Sequence, residues 1–407
     1  MTKLLLFTLS MTLVFAQDRP LVLKTSTLFD GKGKTLKNTI IVIQGSKIAS
    51  VGGKAPANAV TYDLTAFTVS PGWIDTHTHI ANHFNSSDRF VEGEAAPVPE
   101  ALLRMAENLA ATLNAGFTTL QSPGAMIDND LRDAVARGIL PGPRVRTSLD
   151  ALDEHSGGPD QMRTLIRERK QQGADFIKIF ASKSIREDGA KSLTDEQIQA
   201  ACGEAKALGL RTLVHAHTDD AANAAVLAGC TAIEHGFFVS DATFDLMAQH
   251  GTYYDPQIGL LLQNYLENKA KYLGIGTWNE HAYENYVKYQ PVILETFKRS
   301  LKHKNLKIVY GTDANAGAHG RNYQEFIGRV RDGGQDPMQV LIGATALAAE
   351  SMGMGDQIGS IAPGMQADIV AFDGNPLQDV NAAGRAVFVM KAGKVFENLG
   401  HGAKDHQ

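Results

Sequence analysis

The sequence predicts an α/β fold, a (β/α)8 TIM barrel carrying a small β-sandwich domain built from both N- and C-terminal segments. Three observations lead there. Apolar strand-like runs alternate with amphipathic helical stretches through the middle of the chain, giving eight βα units. Short Ile- and Val-rich runs dominate both ends instead. At 407 residues the chain exceeds a ~250-residue barrel by about one small domain.

Residues 1–16 read apart from the rest. Lys3 precedes a short apolar run that closes in Val14-Phe15-Ala16, the pattern of a secretory signal peptide cut before Gln17. The mature protein is therefore expected to be secreted or periplasmic, with no membrane contact after cleavage. The composite sandwich is expected over 17–70 plus 358–400. Its strands fall at 21–28, 39–44 and 47–51, then at 367–372, 386–390 and 394–397. Gly45 and Gly393 mark the hairpin turns.

The barrel is expected over 71–357. Its first strand runs from Val69 towards Ile80, and the others occupy 117–121, 144–148, 175–180, 211–217, 231–235, 252–255 and 307–312. Amphipathic spacing places helices at 99–114, 128–137, 160–172, 195–208 and 219–228. No Gly-rich dinucleotide turn follows the first strand, which argues against an open doubly wound sheet. The Tyr-rich stretch 258–305, with Trp278, leaves the βα rhythm; it either covers the barrel mouth or packs as an appendage.

Hydrophobic content of 43%, charged content of 20% and a net charge of −5 suit a soluble enzyme. They give no reason to expect nucleic acid or an acidic membrane as partner. Cys202 and Cys230 lack zinc-ligand spacing; they either pair in an oxidising compartment or remain buried thiols.

Chemistry in a barrel gathers at the C-terminal ends of its strands, and seven unusual polar residues fall there. His77 and His79, two apart, share one face at the end of the first strand. Lys178 interrupts the apolar run Phe176-Ile177-Lys178-Ile179-Phe180, where a free ammonium is costly. It must reach solvent, be neutral or paired, or be carboxylated by CO2 and bridge two metals. His215 closes the fifth strand with His217 on the same face, and His235 closes the sixth. Asp313 closes the last strand, a place where Asp also serves as a helix cap. Singly, each has an ordinary structural explanation. Jointly, a nitrogen-rich set with one carboxylate favours zinc over magnesium or calcium.

These residues resemble the amidohydrolase superfamily. The resemblance is carried by Pro71-Gly72-Trp73-Ile74-Asp75-Thr76-His77-Thr78-His79, the strand of Lys178, His215, Ile233-Glu234-His235-Gly236 and Gly311-Thr312-Asp313. Ile358-Gly359-Ser360-Ile361-Ala362-Pro363-Gly364 and the Ala367-Asp368-Ile369-Val370 that follows extend it to nearly the whole mature chain. The chain looks most like the imidazolonepropionase-related branch, with its Xaa-Pro dipeptidases, carboxypeptidases for dipeptides or N-acyl amino acids, and ochratoxin-type amidases. Lys178 separates it from imidazolonepropionase itself. It departs from the branch after the third strand, where His155-Ser156-Gly157-Gly158 replaces Gly-Gly-His-Gly.

The resemblance implies two divalent metal ions, zinc by ligand type. His77, His79 and Asp313 would hold one, His215 and His235 the other, and carboxylated Lys178 would bridge them. It implies hydrolysis of an amide or peptide bond in a dipeptide or N-acyl amino acid by a metal-bound hydroxide, with Asp313 as base and then acid. Asp75 would orient a ligand from beneath. His217, His155 and Arg186 are candidates to meet the substrate's carboxylate or carbonyl, Arg186 reading more readily as a solvated loop residue. Tyr253 and Tyr254 either donate to an oxyanion or pack. A lactone or cyclic-amide hydrolase on the same site is the alternative enzyme, and a non-catalytic metal- or peptide-binding protein the alternative class. A homo-oligomer fits either.

Overall fold

The computed structural model describes residues 19–93 and 98–399, so the expected signal segment 1–16 lies outside the described residues. Eight parallel strands organise the middle of the chain: Trp73–Asp75, Phe117–Ser122, Arg144–Thr147, Phe176–Phe180, Arg211–Ala216, Ala232–His235, Tyr253–Asp255 and Lys307–Ile308. Apart from the third and fourth, consecutive strands pair in parallel ladders, the connection expected of βα units.

The ladders do not form one closed ring. They form a three-stranded sheet from the first three strands and a five-stranded sheet from the rest. A few isolated backbone bonds cross each gap. At one margin Asp175 N–H donates to Thr147 O at 2.8 Å and Phe180 N–H to Leu152 O at 2.8 Å. At the other, Thr76 N–H donates to Tyr310 O at 2.9 Å and Asp313 N–H to His77 O at 2.7 Å.

The second gap has a physical cause. The eighth strand, expected to reach 312, stops at Ile308 because carboxylates replace the next ladder acceptors. Asp255 takes Gly311 N–H at 2.7 Å, and Asp75 takes Thr312 N–H at 3.0 Å. Only glycine fits the first contact, since a Cβ on Gly311 would sit 2.0 Å from Asp255 Oδ2.

The helices follow the amphipathic spacing closely: Val98–Asn114, Asp128–Ala136, Pro159–Gln171, Asp195–Ala207 and Asp219–Leu227. Thr194 and Gln197 close a capping box at the start of the fourth, which satisfies otherwise orphaned N–H groups there.

The terminal strands give a correction. They build one seven-stranded sheet, ordered Lys394–Asn398, Ala386–Lys391, Ile369–Phe372, Val60–Pro71, Leu21–Phe29, Thr35–Gln44, Lys47–Val51, rather than two facing sheets. The sheet curls until its Lys47–Val51 edge bonds the segment leading into Ile369–Phe372, with Ala367 N–H on Ser46 O and Ile48 N–H on Met365 O, both at 2.9 Å. Leu23, Ile41, Leu64, Ile369 and Phe388 fill the core inside the curl.

The run read as one strand from Val69 is two. Val60–Pro71 belongs to the curled sheet, and Trp73–Asp75 opens the parallel set. Gly72 separates them where a Cβ would lie 2.2 Å from Thr118 Oγ1, so the chain can change sheets only at glycine.

The stretch after the seventh strand forms helices Leu261–Glu267, Lys269–Tyr272 and Glu280–Ser300. Its root is fixed by Glu325, whose carboxylate accepts the N–H groups of Ile258, Gly259 and Leu260 at 3.0, 2.6 and 3.1 Å. Arg329 offsets the buried charge, 2.7 Å from Glu325 and 3.3 Å from Asp255. Cys202 and Cys230 pair as a disulfide with Cα atoms 5.3 Å apart, which settles the two readings of them. Among the described residues, no helix is long and apolar enough to cross a membrane.

Candidate active site

The strand ends converge on a cavity of about 250 Å3 lined by His77, His79, Lys178, His215, His217, His235 and Asp313. His77 is central. Its Nε2 lies 3.4 Å from Lys178 Nζ and 3.5 Å from Asp313 Oδ1, and His79 Nε2 lies 2.9 Å from the same oxygen. The His215 and His235 rings are 4.6 Å apart, and those of His77 and His235 5.4 Å.

The backbone bends to bring them in. His235 (φ 67°) and Asp313 (φ 51°) are both left-handed, a strained conformation for side-chain-bearing residues that gathers at functional sites. Strand alternation would send Glu234 and His235 to opposite faces. The turn at His235 lets both reach His77, and His77 Nδ1 donates to Glu234 Oε2 at 2.7 Å. Glu234 was missed as a site residue; a carboxylate inside the otherwise apolar Ala232–His235 strand was the available signal. Asp75 acts through the main chain, accepting His77 N–H at 3.1 Å and Thr312 Oγ1–H at 2.6 Å.

Burial sets the charges. It holds His77, His215 and His235 well below the ordinary imidazole value, reinforced at His77 by Lys178 and at the other two chiefly by neighbouring histidines. His217 is pushed down to about 3 by burial, then by Lys178 and Arg186. Burial also lowers Lys178 against the pull of Glu234, Asp313 and Asp255. At Asp313 burial favours the neutral acid, yet His77, His79 and Lys178 together keep the carboxyl below its usual value. Burial pushes Glu234 up to about 7 and Asp255 up to about 8.

The donor set fits divalent metal ions. Neutral imidazoles carry the lone pairs that metals need, and Nδ1 of His235 is buried without a hydrogen-bond partner. His77, His235 and Asp313 offer ligand atoms all within 4.8 Å of one another. Two ligands bound at ~2.1 Å in a tetrahedral array lie about 3.4 Å apart, close to the spacings around His77 Nε2. The Glu234 bond to the far nitrogen of His77 is the usual way a protein orients a metal-ligating imidazole.

Other candidates fare differently. His217 lines the cavity with both ring nitrogens unpartnered and its ring stacked on Phe237 at 4.8 Å. His155 is not brought in. Asp153 turns its loop by accepting the His155 N–H at 2.9 Å, and the imidazole is left 83% exposed beside Glu154. Arg186 corrects the solvated reading: it lines the cavity, its guanidinium lies 4.3 Å over Trp278, and Nε donates to Thr277 at 2.8 Å. Tyr253 bonds Glu350 at 2.8 Å and Tyr254 packs on Phe244, so neither faces the cavity. Tyr265 and Tyr286, unremarked in the sequence, do line it. The long insertion therefore forms part of the cavity wall.

Residues 68–396 match the amidohydrolase family. The chain is 25% identical to ochratoxinase of Aspergillus niger, over 95% of this chain and 91% of that one. It is 24% identical to imidazolonepropionase of Streptomyces griseus, over 83% and 86%. A solved Xaa-Pro dipeptidase with methionine bound in its active site superposes with a TM-score of 0.83 at 27% identity, covering 93% of this chain and all of that one. A prolidase complexed with N-methylphosphonate-L-proline does so with a TM-score of 0.83 at 26% identity, again over 93% of this chain and all of that one. The match contains every cavity residue described above, and the chain belongs to the amidohydrolase family, as a hydrolase with peptidases and amidases among its relatives.

Proposed function

We propose that the protein is an exported, metal-dependent amidase that cleaves a dipeptide or N-acyl amino acid. The observation that carries the reading is the convergence of His77, His79, Lys178, His215, His235 and Asp313 on one buried cavity. In this reading His77, His79 and Asp313 hold one divalent ion and His215 and His235 a second. Zinc suits so nitrogen-rich a set. Lys178, whose charged form burial disfavours, would take up CO2 at Nζ with loss of a proton and, as a carbamate, would help to hold both ions. When bound, the ions supply Lewis acidity towards the scissile carbonyl and lower the pKa of the attacking water.

The protein's own groups do the rest. Asp313 accepts the proton of the attacking water and delivers it to the leaving nitrogen. Glu234 fixes the His77 ring so that Nε2 faces the cavity. Arg186 presents a guanidinium held by Thr277 and Trp278, suited to a free α-carboxylate.

The test is a library of dipeptides, N-acyl amino acids, lactones and cyclic amides on metal-replete enzyme. Release of a free amino acid from linear amides is expected. Turnover confined to lactones or cyclic amides, or bound metal with no turnover, overturns the reading. Arg186→Met should raise KM about tenfold or more for substrates with a free carboxylate, with kcat nearly unchanged. Equal losses on carboxylate-capped substrates would reduce Arg186 to a structural part. Export draws on the signal-like start and the Cys202–Cys230 disulfide, which persists in oxidising compartments. N-terminal sequencing of protein from the producing cells should begin at Gln17; an intact start in the cytosol refutes export.

A further inference from the structure

Beside His79, on the side formed by the loops after the first three parallel strands, lies a second chamber of about 210 Å3. It is continuous with the metal-ligand cavity, since His79, Glu92, Asp153 and Phe180 line both. Its charge is of one sign. Glu92, Asp128, Asp150 and Asp153 contribute to its walls, and no lysine or arginine does. Asp150 is already offset by Arg169 at 3.0 Å. Among the described residues, no cationic side chain contacts the other three as an ion pair, although Arg186 acts on Glu92, Lys183 on Asp153 and His79 on Asp128 from farther away.

Asp128 is the decisive residue. It is completely buried at the start of helix Asp128–Ala136; its Oδ2 has a long contact of 3.5 Å from Thr147 Oγ1, and Ser122, the Ala125 backbone and His79 also act on the carboxyl. Its Oδ1 has no hydrogen-bond partner at all. A buried carboxylate oxygen left bare costs free energy unless something occupies the space before it.

We infer that this chamber receives a protonated amine on the acyl half of the substrate. The inference rests on the amidase reading above and narrows it. A dipeptide with a free α-amino group, or an acyl group bearing another primary amine, places an ammonium among Glu92, Asp128 and Asp153 while its carboxylate meets Arg186. An N-acyl amino acid leaves the acidic chamber unmatched.

Two measurements test this. Calorimetric titration of the metal-loaded enzyme with a phosphinic dipeptide isostere, amine free or N-acetylated, should show the free amine binding about tenfold tighter or more. Asp128→Asn and the exposed Glu92→Gln should each narrow that ratio, the second guarding against misfolding of the first. Equal affinities, no binding of either form, or a ratio unmoved in both folded variants overturns the inference. Turnover separates the two claims. Linear amides cleaved with no preference for a free amine sink the chamber alone. No linear amide cleaved sinks the amidase reading, and the titration still decides the chamber.

Discussion

Replacing Asp313 by Asn is expected to lower kcat by about a hundred- to ten-thousand-fold, the range for removing a positioned general acid–base group. The substitution isolates proton transfer. Asn keeps the size of the side chain and an oxygen able to bind metal. Asn also tolerates the left-handed backbone at this position (φ 51°) better than other side-chain-bearing residues, so the strand end should hold its shape. The residue's structural bond, its N–H to His77 O at 2.7 Å, is made by the main chain and survives. Metal analysis and circular dichroism should therefore match the parent while turnover collapses. Near-parental kcat with both metals retained would remove Asp313 from proton transfer.

The second large effect is expected from Lys178→Met. Met fills the same apolar strand position and avoids the cost of a buried amine, so folding should not suffer. What it removes is the nitrogen 3.4 Å from His77 Nε2. Metal content should fall to one ion or fewer per chain, with kcat/KM down at least ~100-fold, the upper end seen when a single support of a metal site is lost. Isotope-labelled bicarbonate should give a carbamate signal in the parent that is missing in the variant. Two tightly bound metals and full activity in Lys178→Met would exclude a bridging role.

Much of the fold was legible because it is written locally. Helical spacing marked Val98–Asn114 and Asp195–Ala207 to within a residue, since an amphipathic stripe depends only on near neighbours. The histidines and Lys178 stood out for a related reason: polar groups closing apolar strands are expensive, so their presence needs a cause. What escaped depends on contacts between distant segments. Val69 and Trp73 look like one strand until Thr118 is seen to require Gly72 between two sheets. The eighth strand looks longer than it is because nothing near it announces that Asp75 and Asp255 will take its N–H groups. Arg186 reads as a solvated loop residue until Trp278 and Thr277 arrive about ninety positions later. His155 was placed by motif position, and a loop of different composition carries its ring outward. The acidic chamber joins three loops, none of them distinctive alone.

The helical segment after the seventh parallel strand gives the molecule a division of labour. The residues assigned to metals and proton transfer come from the first, fourth, fifth, sixth and eighth strand ends, and none from this segment. Leu261, Tyr265 and Tyr286, with the Trp278 shelf under Arg186, all come from it. The residues assigned to chemistry and this part of the cavity wall are thus encoded in separate stretches of the gene, and the wall segment is contiguous. That part of the wall can be reshaped by rewriting a single passage while Arg186 and the acidic chamber stay as they are, provided the clasp of Glu325 on Ile258, Gly259 and Leu260 is kept.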